Sequence, residues 1–112
     1  MKITAVVRIT LEPSWYRLAA DERTRLRAHL AELLLSRENV DCRWFDSAPW
    51  MGRVTEFFVC EFSNLHDYWK LWNDVREHPM FLDSHARLDR VTLGMPNPSY
   101  QDVEEADEQE HQ

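Results

Sequence analysis

The chain of 112 residues contains only two glycines, two cysteines and no long apolar run. Because GxGxxG and GxxxxGK[ST] loops are absent, the sequence gives no support for a nucleotide cofactor. No apolar stretch approaches the roughly 20 residues that a membrane-spanning helix needs, and no secretory signal is recognisable. We therefore expect no membrane association and a cytoplasmic location.

An excess of positive charge is also missing, since the formal net charge is −7. Six acidic and no basic residues lie in the last twelve positions, and the remaining chain has 14 acidic and 13 basic residues. A nucleic-acid partner is not expected, because its binding requires a basic surface. We divide the chain into a folded domain, residues 1–97, and an acidic tail, residues 98–112. A solvated end is the main interpretation of the tail, and a partner-binding segment is the alternative.

Two copies of one pattern, strand then helix then strand, account for most of the domain. Alternating apolar residues mark the strands, and apolar stripes at helical spacing mark the helices, in the order 2–11, 20–36, 40–45 and then 54–62, 65–77, 85–93. This βαββαβ order predicts an α+β, ferredoxin-like sandwich. In that fold, two helices cover one face of a four-stranded antiparallel sheet.

The third predicted strand, Val54 to Phe62, is apolar on both faces, so both faces need a cover. The two helices cover only one. Burying ~600 Å² of apolar surface at ~25 cal/mol per Å² is worth about 15 kcal/mol before the costs of association. We therefore predict a homodimer in which two sheets pack face to face as a dimeric α+β barrel. Trp50 and Met51, in the preceding loop, should fold back over the sheet or contact a partner chain.

The second long helix carries the most aromatic surface, formed by Tyr68, Trp69 and Trp72. One interpretation is simple core packing. The other is the wall of a cleft between helix and sheet that binds a flat hydrophobic or aromatic molecule, with Trp15 at the mouth of the sheet. His85 is predicted to face this cleft beside Trp69 and Trp72, where it is the candidate catalytic group for proton transfer.

Two arginines on strands are candidates for substrate binding. Arg8 is either a cation of the dimer interface or an anchor for an anionic ligand, and Arg43 either orients a polar substituent or forms a salt bridge with Asp46. Cys42 and Cys60 are predicted to be buried thiols, because no CxxC spacing accompanies them.

No cofactor or metal is expected, because the five histidines lack the HxH, HxxxH and HExxH spacings. Haem binding is a third option, with His66, His78 or His85 as axial ligands.

Several segments within residues 1–95 resemble the darcynin family, small bacterial proteins without an assigned activity. They are Pro13-Ser14-Trp15, Asp21-Glu22-Arg23, Arg43-Trp44-Phe45-Asp46, and Val59-Cys60-Glu61-Phe62 followed by Leu65, Tyr68, Val75, Arg76, Pro79 and Phe81. The resemblance implies the dimeric α+β barrel group, which includes cofactor-free monooxygenases, cyclases and isomerases as well as haem-handling enzymes. In that group the ligand usually lies between helices and sheet. The resemblance supplies no catalytic residue.

The leading hypothesis is a homodimer that binds a small hydrophobic or aromatic molecule, with a cofactor-independent oxygenation, cyclisation or isomerisation in natural product biosynthesis as its activity. The alternative is a non-catalytic module for ligand binding or protein assembly.

Overall fold

A computed structural model describes residues 1–52 and 55–99, and it contains one antiparallel sheet of four strands. The strands are β1 (Ile3–Leu11), β2 (Val40–Asp46), β3 (Thr55–Phe62) and β4 (Ala86–Gly94), and they lie side by side in the order β2-β3-β1-β4. With the helices between them, this arrangement confirms the predicted α+β, ferredoxin-like fold.

The helices are α1 (Pro13–Arg17), α2 (Ala20–Leu35), α3 (Ala48–Met51), α4 (Leu65–Glu77) and α5 (Pro79–Leu82). The sequence predicted the two long helices, α2 and α4. Each of the short helices α1, α3 and α5 has a proline at one of its first two positions. The fixed φ of proline favours the start of a helix, which explains why these short helices begin where they do.

Two sequence predictions fall on residues that the structure does not describe. They are the start of the third strand at Val54 and residues 100–112 of the acidic tail. Within residues 1–52 and 55–99, no helix combines the length and the apolar character needed to cross a bilayer.

The core lies between the sheet and the helices α2 and α4. Ala5, Val7 and Ile9 alternate along β1 and are fully buried, as the sequence pattern indicates. The β1 residue Val7 pairs with Phe58 of β3, which is also fully buried. The α2 leucines at helical spacing complete the layer, with Leu26, Leu30 and Leu34 buried and Leu33 partly buried.

Only one of the two tryptophans of α4 lies on the buried face of the helix. Leu71, Trp72 and Val75 are buried and Tyr68 packs against the core, whereas Leu65 and Trp69 are 55% and 59% exposed. Positions 68, 71, 72 and 75 follow the i, i+3, i+4, i+7 spacing of one helix face, and Trp69 lies outside it. Leu65 and Trp69 therefore lie outside the buried face of α4.

The face of the sheet opposite the helices, here called the open face, carries a central apolar patch. Val6 and Phe45 are 40% and 37% exposed, and Phe57 and Val59 are partly buried. The Phe45 and Phe57 rings stack at 4.9 Å. Within the described residues nothing covers this patch, as expected for a sheet with helices on one side only.

Charged pairs flank the patch on the open face. Arg8 Nε lies 2.9 Å from Asp89 Oδ2, and Arg43 Nη2 lies 3.7 Å from Glu61 Oε1. Arg90 pairs with Arg8 and Leu88 pairs with Ile9, so Asp89 has no partner on β1. Asp89 is therefore the extra residue of a β-bulge. The bulge brings the carboxylate onto the open face beside Arg8.

Trp50 and Met51 of α3 are 83% and 49% exposed. They do not fold back over the sheet of their own chain, and the alternative placement against a partner chain stays a prediction.

Candidate functional site

The expected cleft beside the aromatic helix is filled by side chains. Trp72 is 8% exposed, and its ring lies 6.1 to 6.2 Å from the rings of Phe58, Tyr68 and Phe81. Trp69 instead stacks on His66 at the surface, with ring centroids 5.5 Å apart. The structure therefore does not bring Trp69, Trp72 and His85 together, because Trp72 takes part in the helix–sheet packing that Trp69 does not enter.

Tyr68 is also part of this packing. Its ring stacks on Phe62 with centroids 4.6 Å apart and an interplanar angle of 7°. Burial, with a smaller contribution from Cys60 and Cys42, raises the pKa of Tyr68 to about 12. The phenol therefore remains protonated near neutral pH and cannot act there as a base.

A groove with a volume of about 720 Å³ lies where α1, α5 and the start of β4 meet. We call it the β4 groove. Its walls combine apolar, cationic and acidic side chains with a hydroxyl, from Glu12, Ser14, Arg17, Arg76, Phe81, Arg87 and Leu88. Arg87 pairs with Glu12 and Asp89, whereas Arg17 and Arg76 form no ion pair with any residue that the structure describes. The groove therefore has an apolar wall and two cations available to a ligand.

Ser14 joins the β4 groove to His85. Ser14 Oγ lies 2.9 Å from His85 Nδ1, and either atom is the donor according to the position of the imidazole proton. When His85 Nδ1 carries the proton and donates to Ser14 Oγ, the single hydroxyl proton of Ser14 is donated to the carbonyl oxygen of Ser84 over 3.4 Å. Ser84 has φ of 60°, a left-handed conformation that is uncommon for residues other than glycine. This turn sets the entry to β4, and His85 with it, beside α1.

An ion pair between a half-buried arginine of α2 and a buried carboxylate of β3 lies against α1. Arg27 of α2 donates two hydrogen bonds to Glu56 of β3, at 2.9 and 2.7 Å, and its guanidinium lies 5.3 and 5.5 Å from the ring centroids of Trp15 and Trp44. Trp15 is 1% exposed, and its ring lies 6.3 Å from that of His85. Trp15 is thus placed behind His85 as a support, rather than at the mouth of a cleft.

A second groove, of about 670 Å³, lies on the other side of His85, between α2 and the end of α4. We call it the histidine groove, because His29, His78 and His85 line it together with the carboxylates of Glu22, Asp74, Glu77 and Asp83. The rings of His29 and His78 lie 5.9 Å apart. His85 therefore separates a cationic groove from an acidic one.

His78 is held by the backbone of α5. Its Nδ1 accepts a hydrogen bond from the Met80 N–H at 3.2 Å, so the ring proton of the neutral imidazole lies on Nε2. Burial, and to a smaller extent the charge of His29, lower the pKa of His78. His78 is thus neutral at neutral pH.

Arg8 and Arg43, predicted as substrate ligands, both lie on the open face of the sheet. Neither lines the β4 groove. Arg8 pairs with Asp89, and Arg43 pairs with Glu61 rather than with the expected Asp46. Both alternatives for Arg8, an interface cation and an anchor for an anionic ligand, stay predictions.

Sequence reasoning missed Arg17, Arg76, Arg87 and Ser14 as site residues. These residues lie far apart in the chain, and only the packing of α1 and α4 against β4 brings them together. The one local signal was the Pro13-Ser14 pair directly after the first strand, which is typical of a short helix start.

Comparison of the sequence with protein-family models and with curated proteins gives no match. Solved structures do match in fold. A chlorite dismutase from Candidatus Nitrospira defluvii has a TM-score of 0.75 at 12% sequence identity, covering 88% of this chain and 42% of that chain. The complex of that enzyme with imidazole gives a TM-score of 0.73 at 11% identity, covering 86% of this chain and 41% of that chain.

This chain is similar in fold to chlorite dismutase. A novel heme-binding protein from Thermus thermophilus has a TM-score of 0.66 at 16% identity, covering 82% of this chain and 38% of that chain. The chain therefore spans about two fifths of the length of chlorite dismutase and of the heme-binding protein. At such identities the similarity establishes the α+β fold of this chain.

The described residues do not fit the predicted axial ligation of haem. His66 stacks on Trp69 at the surface. His78 would coordinate iron through Nε2 only with a proton on Nδ1, which here accepts the Met80 N–H. His85 lines the histidine groove, where the carboxylates of Glu77 and Asp83, which form no ion pair with any described residue, oppose the propionates of haem. Within residues 1–52 and 55–99, no group of three or more His, Cys, Asp or Glu side chains is arranged to hold a metal ion.

Proposed function

We propose that this protein is a homodimer that binds a small molecule with an apolar, aromatic body and an anionic group in the β4 groove. The observation that carries the proposal is the groove itself, where Arg17 and Arg76 lie at a wall formed by Phe81 and Leu88. An arginine pairs strongly with a carboxylate or an enolate oxygen, and an aromatic body packs on the apolar wall.

A binding measurement with 1-naphthoate tests this site. We expect calorimetric binding of 1-naphthoate, and no detectable binding of the uncharged 1-naphthylmethanol at the same concentration. Loss of a charged hydrogen bond costs about 1.5–3 kcal/mol, so Arg76→Gln should weaken binding about tenfold or more.

Arg43→Gln is the matched control, since Arg43 lies on the open face. It should leave the affinity for 1-naphthoate unchanged. Equal losses in both variants, or equal binding of the acid and the alcohol, would refute the β4 groove as the site. An effect confined to Arg43→Gln or Arg8→Gln would favour these two residues as substrate ligands instead.

The proposed chemistry is a cofactor-independent proton transfer. Ser14 Oγ lies at the β4 groove, and His85 behind it lines the histidine groove, so a proton can pass from a ligand through Ser14 to His85 and on to solvent. Arg76 and Arg17 would stabilise the resulting enolate oxygen. Removal of a proton in this way is common to isomerisation, cyclisation and cofactor-free oxygenation.

Exchange of a ligand C–H in deuterated water separates an enzyme from a binding module. For 1-naphthylpyruvate, whose methylene protons are acidic, we expect exchange that slows at least tenfold in Ser14→Ala and in His85→Gln. Unchanged exchange in both variants, with intact binding, would favour the non-catalytic alternative. A Soret band on haem titration that disappears in His85→Ala would instead favour haem binding.

The dimer is proposed to form through the open faces of two sheets. The apolar patch of Val6, Phe45, Phe57 and Val59 is flanked by charges of both signs, so a two-fold axis can place an arginine of one copy against an acidic group of the other. This chain matches 42% of the chlorite dismutase chain, so two copies of it together would approach the size of one chlorite dismutase chain.

Two valines of similar exposure on opposite faces of the sheet test the interface. Val6 lies on the open face at 40% exposure, and Val91 of β4 lies on the helix side at 45%. We expect a mass of twice 13.4 kDa by sedimentation velocity for the wild type and for Val91→Asp, but 13.4 kDa for Val6→Asp. A monomeric wild type, or a dimer disrupted only by Val91→Asp, would refute face-to-face pairing.

The darcynin resemblance, the cytoplasmic location and the division at residue 97 stay predictions. The ligand contacts predicted for Tyr68, Trp69 and Trp72 also stay predictions, and the proposed site does not depend on them.

A further inference from the structure

The sheet places two thiols side by side. Cys42 of β2 pairs directly with Cys60 of β3, and their Sγ atoms lie 3.2 Å apart. Both are free cysteines, 5% and 0% exposed. We propose that they form a redox modification site, at which a hydroperoxide oxidises Cys42 and Cys60 then closes a cross-strand disulfide.

The backbone already satisfies the geometry of this bond. Directly opposed residues of an antiparallel pair have Cα atoms about 4.5 to 5.5 Å apart. Disulfides span Cα separations of about 4.4 to 6.8 Å. The bond therefore forms by rotation of the two side chains, without separation of β2 from β3.

Access to the two sulfurs differs, and this sets the order of the reaction. Cys42 lines a cavity of about 310 Å³ between α2 and β2, together with Leu34, Leu35 and Trp44. Cys60 is fully buried. The hydrogen bond between the two thiols lowers the pKa of Cys42 and raises that of Cys60, so the accessible sulfur is also the better nucleophile.

The chemistry requires only the hydroperoxide as co-reactant. The Cys42 thiolate attacks one peroxide oxygen and the O–O bond breaks, which leaves a sulfenic acid on Cys42 and releases water or an alcohol. The Cys60 thiol then attacks the Cys42 sulfur and expels water. Two thiols lose two electrons and two protons in total, and the hydroperoxide is reduced.

Intact mass spectrometry of the full chain after treatment with hydrogen peroxide tests the proposal. The intact mass should fall by two hydrogens, and maleimide labelling in denaturant should show that both thiols disappear together. Dithiothreitol should restore both thiols. Retention of both thiols, stepwise addition of oxygen to one cysteine, or a disulfide between two chains would overturn it.

Two serine variants, which keep a hydroxyl beside the remaining thiol, test the assigned order. Cys60→Ser should accumulate a sulfenic acid on Cys42 that dimedone traps, and Cys42→Ser should form at least about tenfold less adduct because Cys60 is inaccessible. Equal labelling of the two variants would overturn the order. Circular dichroism checks that each variant is folded, and the wild-type measurement decides the proposal if one is not.

Discussion

Replacement of Arg27 by methionine is the most informative perturbation of the framework around the site. Methionine keeps much of the apolar stem but removes the guanidinium that holds Glu56. The Glu56 side chain is only 5% exposed and accepts three hydrogen bonds, two from Arg27 and one of 2.7 Å from Trp44 Nε1. In Arg27→Met only the bond from Trp44 remains, so a nearly buried carboxylate loses its counter-charge.

The expected cost follows from these contacts. Removal of one partner from a buried ion pair costs about 3–5 kcal/mol. Because the Arg27 side chain is 38% exposed, water replaces part of its interaction, and the lower end of about 3 kcal/mol applies. This is a large share of the roughly 5 to 15 kcal/mol that is typical of a folded domain.

Urea unfolding followed by tryptophan fluorescence, at one fixed protein concentration, measures this cost. Arg25→Met is the matched control, because the Arg25–Glu22 pair is exposed and its loss should leave the free energy of unfolding nearly unchanged. The double variant Arg27→Met, Glu56→Gln removes the unpaired charge and keeps an acceptor for Trp44. It should be more stable than Arg27→Met alone, and an equal or lower stability would refute the argument.

Two further outcomes test the core and the buried histidine. Leu71 is fully buried, so Leu71→Ala should lower the free energy of unfolding in urea by about 2–5 kcal/mol. Leu35 is 74% exposed, so Leu35→Ala should lower it by less than about 0.5 kcal/mol. Similar losses in the two variants would contradict the burial of Leu71 in the core. The pKa of His78 is lower in the folded state than in the unfolded chain, so on acidification the unfolded chain takes up a proton before the folded one does. The wild type should therefore lose stability as the pH falls through about 6.5. His78→Asn, which can keep the acceptor for the Met80 N–H, should lose less stability than the wild type between about pH 7.5 and 5.5, and an unchanged pH dependence would contradict the assignment to His78.

The element order could be predicted from local pattern alone. The alternating residues Ala5, Val7 and Ile9 indicate the apolar side of the first strand. Leu26 and Leu30, at helical spacing, indicate the apolar side of the first long helix. Such patterns depend only on the period of a strand or a helix. The βαββαβ order then limits the topology to few arrangements, which is why the fold prediction was correct.

The aromatic face of α4 shows where local pattern misleads. Trp69 and Trp72 have the same chemistry and lie within one turn, yet one is 59% exposed and the other 8%. Only the packing of the helix against Phe58 and Phe81 distinguishes them. Composition indicated that aromatic residues matter in this helix but carried no information on which ring enters the core.

The sequence by itself determined the fold class, the burial of the cysteines and the apolar character of β3, because each depends on short-range periodicity. Tertiary structure alone decided the site. Ser14 contacts His85, and Arg17 and Arg76 line one groove, although the elements that carry them are far apart in the chain. Such contacts depend on how α1, α4 and β4 pack around one core, and no local spacing of residues encodes that arrangement.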